Sequence, residues 1–224
     1  MAVRHEEKYI ITYSQYAMLK QRARMLLTPD TNGDCGSYVI TSLYYDDHKD
    51  TALREKLDGL PVHSKFRVRT YDYHDNVIKL ERKDKRGILT EKHTASLTRE
   101  QLLRLEAENG FLWQEEEAAF SLASQMWKAH LKPVVVVRYR RDAFFFKGTD
   151  LRLTFDTQLE AISPEKRALF DPGIRGLPVL DGNSVIMEIK YGTHVPAFVR
   201  QFTAVPCKQL SVSKYALCRQ KNHD

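Results

Sequence analysis

A chain of 224 residues with 42% apolar and 29% charged residues can fill a sizeable core, and charges spread along its whole length exclude a wholly disordered chain. No apolar run is long enough to span a bilayer, and Arg4, His5, Glu6, Glu7 and Lys8 stand where a secretory signal is apolar, so a cytoplasmic protein with no membrane segment of its own is expected. The balance of 35 Lys+Arg against 29 Asp+Glu gives +6 and points to an anionic partner without naming it.

In chain order, alternation of polar and apolar residues predicts a strand over Arg4–Thr12, and Ser14–Leu27 reads as a helix. A strand follows over Tyr38–Tyr45 and a short helix over Asp47–Leu57, with Asp46 placed to cap it. Strands are then predicted over Ser64–Tyr73, Val77–Asp84 and Lys92–Ser96. The next helix, Thr98–Asn109, carries Thr98 and Gln101 as a capping box and Gly110 as its stop, and another spans Glu115–His130. Strands at Pro133–Phe146, Asp150–Leu159 and Ser184–Tyr191 flank a Pro- and Gly-rich segment, Ser163–Gly182, to which no regular structure is assigned. A last short helix falls between Pro196 and Ala204. Nothing marks a linker, so residues 1–224 read as a single domain, of α+β class, whose eight antiparallel strands suffice for a closed barrel with helices packed outside. Cys35, Cys207 and Cys218 are odd in number and lack C-x-x-C spacing, which supports neither a disulfide framework nor a zinc site.

The informative feature is which residues share a strand face, because side chains two apart point the same way. Glu6 and Lys8 fall together opposite Tyr9 and Ile11, and Lys65, Arg67 and Arg69 fall opposite Phe66 and Val68. Lys79, Glu81 and Lys83 align against Ile78 and Leu80; Arg152, Thr154 and Asp156 against Leu151, Leu153 and Phe155; Glu188 and Lys190 against Met187 and Ile189. One explanation is a set of ordinary solvated faces. The other turns these faces inward, giving a basic lumen with a few acids, where two like charges 4 Å apart repel by roughly 4 kcal/mol and polyanions relieve the strain. Arginine forks suit phosphate oxygens, and Glu6, Glu81 and Glu188 are candidates to hold an oxygen-seeking cation.

The motifs Arg4-His5-Glu6-Glu7-Lys8-Tyr9, Ser42-Leu43-Tyr44-Tyr45-Asp46, Phe66-Arg67-Val68-Arg69-Thr70-Tyr71, Leu80-Glu81-Arg82-Lys83, Tyr139-Arg140-Arg141-Asp142-Ala143-Phe144, Leu151-Arg152-Leu153-Thr154-Phe155-Asp156, Met187-Glu188-Ile189-Lys190 and Ser213-Lys214-Tyr215 run almost end to end. In order and spacing the sequence resembles the polyphosphate polymerase domain of the vacuolar transporter chaperone (VTC) family in a stand-alone bacterial form, within the CYTH-like triphosphate tunnel metalloenzymes.

The resemblance implies a metal-dependent ATP:polyphosphate phosphotransferase that passes the γ-phosphate of ATP to inorganic polyphosphate, with Mn²⁺ or Mg²⁺ as cofactor. Lys8, Arg67, Arg69, Lys83, Arg141, Arg152 and Lys214 match the family's phosphate ligands, Glu188 its metal ligand, and Lys92 and Tyr139 two further binding positions. Lys190 and Lys56 are added, the latter in competition with Arg54. The implied catalytic set is Arg67, Arg69, Arg141, Arg152 and Glu188; the partners are ATP and inorganic polyphosphate or triphosphate, with a separately encoded membrane protein as a possible further one. Two departures stand out: Ser211 occupies a lysine position of the family, and Arg4-x-Glu6-x-Lys8 replaces the Glu-x-Glu-x-Lys of the tripolyphosphatase and cyclase branches. Rival readings are a triphosphate hydrolase and a non-catalytic polyphosphate or inositol phosphate binder. Nucleic acid is not expected, since aromatics do not interleave with the basic residues on a common face. Tyr44, Tyr71 and Tyr215 read as packing residues, Asp156 as the counter-ion of an arginine.

Overall fold

The computed structural model describes residues 5–87, 89–106, 117–192, 195–209 and 211–221. Arg4, Gly110 and the expected helical residues between 107 and 116 lie outside them. The chain forms two compact units, one of Met1–Val39, Tyr139–Leu159 and Pro178–Ser213, the other of Ile40–Arg138, Glu160–Leu177 and Lys214–Asp224.

In the first unit, β1 (His5–Thr12) leads directly into α1 (Tyr13–Leu26). The junction is a capping box, with the Gln15 amide donating to Thr12 Oγ1 at 3.2 Å and the Thr12 amide to Gln15 Oε1 at 2.8 Å, which satisfies two otherwise orphaned groups. A two-residue strand, β2 (Thr28–Pro29), precedes β3 (Ser37–Asp46), whose later residues belong to the second unit. Gly36 between them has φ +78°, and a Cβ there would sit 2.8 Å from the Ala143 carbonyl oxygen, so only glycine fits.

In the second unit β3 continues into α2 (Thr51–Leu57), then β4 (Val62–Tyr71), β5 (His74–Arg86) and β6 (Leu89–Leu97), an antiparallel meander. The expected strand Ser64–Tyr73 stops at Tyr71 because Asp72 and Tyr73 take φ of 47° and 64°, a two-residue turn whose backbone twist matches the right-handed twist of the strands. Helices α3 (Arg99–Arg104) and α4 (Glu117–Lys128) follow, α3 opened by the expected Thr98–Gln101 capping box. Asp46 caps α2 as expected, accepting from the amides of Ala52 and Leu53 at 2.9 and 3.1 Å.

The remaining strands are β7 (Lys132–Phe145), β8 (Arg152–Ile162), β9 (Leu177–Pro178), β10 (Ser184–Tyr191) and β11 (Lys208–Gln209), with helices α5 (Ala197–Thr203) and α6 (Lys214–Lys221). The sheet is antiparallel in every pairing described, in the order β11-β1-β10-β8-β7-β3-β4-β5-β6, with β2 beside β7 and β9 beside β8. Its eleven strands include three of only two residues, β2, β9 and β11, so the eight long strands are the eight that alternation predicts. The expected α+β antiparallel fold is present, but its path has two ends and among the described residues no pairing joins them, so the strands run in an open order where a closed barrel was expected.

Two segments depart from expectation. Ser163–Gly182 is not wholly irregular, since it holds a 3-10 turn at Lys166–Leu169 and the short strand β9. Arg138, 4% exposed, donates to the carbonyls of Ala168, Asp171 and Ile174 and so ties this segment down within the second unit. Helix α6 has no counterpart in the sequence reading: its buried residues Tyr215, Ala216, Cys218 and Arg219 include too few apolar positions for a helical stripe.

Each unit has its own apolar cluster. In the first, Ile11, Leu153, Phe155, Val185, Met187 and Ile189 pack on Tyr16, Leu19 and Ala23 of α1 and Val199 of α5. In the second, Leu43, Phe66, Val68, Ile78, Leu80 and Ala95 pack with Leu102 of α3 and Leu122, Ala123 and Met126 of α4. A fully buried side chain such as Leu80 or Leu153 contributes about 1.5–3 kcal/mol. In each unit, helices therefore cover the apolar strand faces.

Candidate functional site

In the first unit, strand register brings the charged residues of β1, β10 and β8 into rows. Lys8 stands opposite Glu188 and Glu188 opposite Thr154; Glu6 stands opposite Lys190 and Lys190 opposite Arg152. Ile10 and Ile186 are the apolar members of this face, and Ile186 is opposite Asp156.

Glu188, 4% exposed, is the hub. One carboxylate oxygen lies 3.5 Å from Lys8 Nζ, the other 3.2 Å from Lys190 Nζ and 3.7 Å from Arg141. Arg141 places its fork on Asp156, at 2.7 and 2.8 Å, and its guanidinium lies 5.3 Å from the Tyr139 ring centroid. Lys8 also pairs with Glu6 at 2.7 Å, and Arg152 donates to Asp30 at 2.5 Å and to the Tyr38 hydroxyl at 2.8 Å. Burial by itself disfavours the charged forms of Lys8 and Arg141, yet Glu188 with Glu6 holds Lys8, and Asp156 with Glu188 holds Arg141, above their ordinary pKa ranges. Four cations (Lys8, Arg141, Arg152, Lys190) meet four carboxylates (Glu6, Asp30, Asp156, Glu188), so the cluster is formally neutral.

The second unit is different. Along β3 to β6, Lys65, Arg67, Arg69, Lys79, Lys83, Lys85 and Lys92 share one face with two carboxylates, Asp46 and Glu81. Arg67 donates to Glu81 at 2.6 Å and to the Tyr44 hydroxyl at 3.0 Å; Lys92 pairs with the other Glu81 oxygen; Arg69 donates to Ser42 Oγ at 3.1 Å. Burial raises the Glu81 pKa, but Arg67, Arg69 and Lys92 outweigh it and bring it down to about 2. Tyr44 is a second reporter of the same field: burial pushes its phenol up, and Arg67 and Arg69 still leave it below its ordinary value. Tyr44 stacks on Tyr215 with centroids 5.0 Å apart, and the Tyr215 hydroxyl donates to Asp46 at 2.6 Å, so both tyrosines pack with satisfied hydroxyls as expected.

The predicted residues divide accordingly. Lys8, Tyr139, Arg141, Arg152, Glu188, Lys190 and Glu6 gather in the first unit; Arg67, Arg69, Lys83, Lys92 and Glu81 share the strand face of the second, where Lys214 opens α6 and Lys56 sits in the last turn of α2. Among the described residues no group of three or more His, Cys, Asp or Glu side chains stands ready for a metal. Glu6 pairs with Lys8, and Glu81 with Arg67 and Lys92. Three residues at these clusters escaped the sequence reading as functional: Asp30 and Tyr38, which orient Arg152 and carry no local signal, and Thr154, whose parity with Arg152 and Asp156 was visible.

Thr154 bears on whether a divalent cation fits. Its Oγ1 is buried with no hydrogen-bond partner, on the face of Glu188 and directly opposite it in the ladder. A buried carboxylate beside an unpartnered hydroxyl is an all-oxygen donor pair, the chemistry hard cations take, and a cation bound by one carboxylate with substrate phosphates is an ordinary magnesium arrangement. The residues present therefore fit a divalent cation whose remaining ligands come from phosphate.

An antiparallel α+β fold with helices on its apolar strand faces and rows of cationic side chains on the opposite faces defines the class of protein. A family model described as the VTC domain matches residues 3–223, and the chain belongs to that family. Solved structures with the same fold include two described as putative adenylate cyclases. One, from Bacillus halodurans, has 13% identity and TM-score 0.54 and covers 95% of this chain and 94% of its own; the other, from Vibrio parahaemolyticus, has 11% identity and TM-score 0.52, covering 96% and 97%. A chain of the Schizosaccharomyces pombe Mediator head module also shares it, at 10% identity and TM-score 0.51 over 92% of this chain and 96% of that one. No curated protein sequence matches the chain. No helix of the described residues is long and apolar enough to cross a membrane.

Proposed function

We propose that residues 1–224 act as one domain, a divalent-metal-dependent polyphosphate polymerase that transfers the γ-phosphate of ATP to a growing phosphate chain. The observation that supports this best is the pairing of chemistries: seven cations against two carboxylates on the strand face of the second unit, and a buried carboxylate ringed by Lys8, Arg141 and Lys190 in the first. Phosphoryl transfer asks the protein chiefly to position reactants and to stabilise charge with preorganised groups.

In this reading Arg67 and Arg69, with Lys83, Lys92, Lys56 and Lys214, bind phosphate oxygens by charge-assisted hydrogen bonds. Arg141 and Arg152 stabilise charge on the transferred group; Asp156 and Asp30 hold the two guanidiniums in place before substrate arrives. Lys8, Tyr139 and Lys190 complete the binding set. Glu188 holds Mn²⁺ or Mg²⁺, which supplies Lewis-acid charge neutralisation at the phosphate oxygens. A terminal oxygen of the phosphate chain attacks the γ-phosphorus in line, the bond to the β,γ-bridging oxygen breaks, and ADP leaves with the electron pair. The nucleophile is already an anion at neutral pH, so no general base is required. In this reading the setting is cytoplasmic, with a separately encoded membrane protein as a further partner.

The test is incubation with ATP and Mn²⁺ followed by separate assays for polyphosphate, free phosphate and ADP. Polyphosphate and ADP in matched amounts support the polymerase. Free phosphate with ADP and no polymer means a hydrolase, and triphosphate binding without turnover means a passive binder.

A further inference from the structure

Of the buried side-chain atoms without a hydrogen-bond partner, two are threonine hydroxyls, Thr41 Oγ1 and Thr154 Oγ1. They differ in what surrounds them. Thr41, 1% exposed, alternates with Leu43 and Tyr45 on a face of β3 that packs into apolar core. Thr154, 2% exposed, alternates with Arg152 and Asp156 and stands opposite Glu188. A β-branched residue of similar volume, valine, would fill the Thr154 position without stranding a polar group, and β8 already holds apolar residues at Leu153 and Phe155.

A hydroxyl has two acceptor lone pairs and one donor hydrogen. Beside Glu188, the neighbouring donors Lys8, Arg141 and Lys190 are already turned to carboxylate oxygens, at 3.5, 3.7 and 3.2 Å for Glu188 itself. The lone pairs of Thr154 are therefore available to an electrophile that the protein alone does not contain. We propose that Thr154 is the second protein oxygen ligand, with Glu188, of the divalent cation that accompanies phosphate. The inference rests on the reading of Glu188 as a cation ligand, and its test separates the two.

The experiment compares Thr154→Val, Thr154→Ser and Glu188→Gln with the parent protein in three measurements: Mn²⁺ affinity by electron paramagnetic resonance with saturating tripolyphosphate, tripolyphosphate affinity in EDTA, and melting temperature without ligand. Loss of a supporting group at a metal site typically lowers affinity 10–100-fold. Thr154→Val should weaken Mn²⁺ binding by about tenfold, leave metal-free tripolyphosphate affinity unchanged, and melt no lower than the parent, because a buried unpartnered hydroxyl is removed. Thr154→Ser, which keeps the oxygen, should bind Mn²⁺ within about twofold of the parent.

Parent-like Mn²⁺ affinity in Thr154→Val while Glu188→Gln is weakened overturns the role of Thr154 and leaves Glu188 standing. Parent-like affinity in both overturns the cation site altogether. A lower melting temperature in Thr154→Val with normal Mn²⁺ binding means the hydroxyl serves the fold, which also overturns the proposal.

Discussion

The charged faces of the two units look alike as sequence, alternating Arg, Lys and Glu, yet they are different electrostatic objects. Around Glu188 four cations are matched by four carboxylates, and each guanidinium is held by a carboxylate of its own, Arg141 by Asp156 and Arg152 by Asp30. Around Glu81 seven cations share a strand face with two carboxylates, and both Glu81 and the Tyr44 phenol are driven toward their anionic forms. A neutral, clamped cluster keeps its geometry before ligand arrives, as transition-state stabilisation requires, whereas a cation-rich face gains most when a polyanion arrives. The proposed division of labour, chemistry at Glu188 and chain binding around Glu81, follows from that difference.

The largest effect should come from unclamping the first cluster. Arg141→Ala leaves Asp156, fully buried, without its fork, and breaking a buried pair in this way costs about 3–5 kcal/mol. Urea denaturation should show that loss. Arg141→Ala within about 1 kcal/mol of the parent would mean that the cluster is not preorganised.

Acid should act on the second cluster. The Glu81 pKa falls from an ordinary 4.5 to about 2 on folding, so the carboxylate contributes stability that is fully present above pH 4.5 and lost as the pH falls toward 2. The difference corresponds to about 3 kcal/mol. Glu81→Gln should flatten the parent's stability profile over that window. The Lys8 shift has the opposite sign: raised on folding, it contributes stability that is present at and below its ordinary value of 10.5 and lost as pH rises through its folded value.

Glu188→Gln sharpens the contrast from the catalytic side. ATP-dependent polyphosphate synthesis should fall at least about a hundredfold, equivalent to about 2.7 kcal/mol of transition-state stabilisation, while polyphosphate binding is kept or tightened because a carboxylate repels phosphate. A folded variant that synthesises at the parent rate would remove Glu188 from the chemistry.

The smallest effects on stability should come from the half-exposed arginines. The Arg152–Asp30 pair, with the arginine side chain 41% exposed, contributes about 0–1 kcal/mol. Arg152→Ala and Arg67→Ala should nevertheless weaken tripolyphosphate binding far more than Arg22→Ala or Arg24→Ala on the exposed face of α1. Equal losses from the two sets would show that a diffuse surface field binds the anion.

All eight long strands were legible from alternation alone, because a strand's faces differ with a period of two whichever neighbour it acquires. The α3 start was legible for a similar reason: Thr98 with Gln101 satisfies backbone groups within four residues. Parity likewise placed Lys8, Arg67, Arg69, Arg152 and Glu188 on charged faces. What it could not supply was register. Lys8 meets Glu188 only because strands remote in sequence pair residue against residue, and Arg152 meets Asp30 through a tertiary contact outside any strand pairing. The sequence thus determined which face each charge takes. Tertiary structure decided which charge answers which, and so made one face balanced and the other short of anions, because cross-strand contacts depend on pairings that no local pattern encodes.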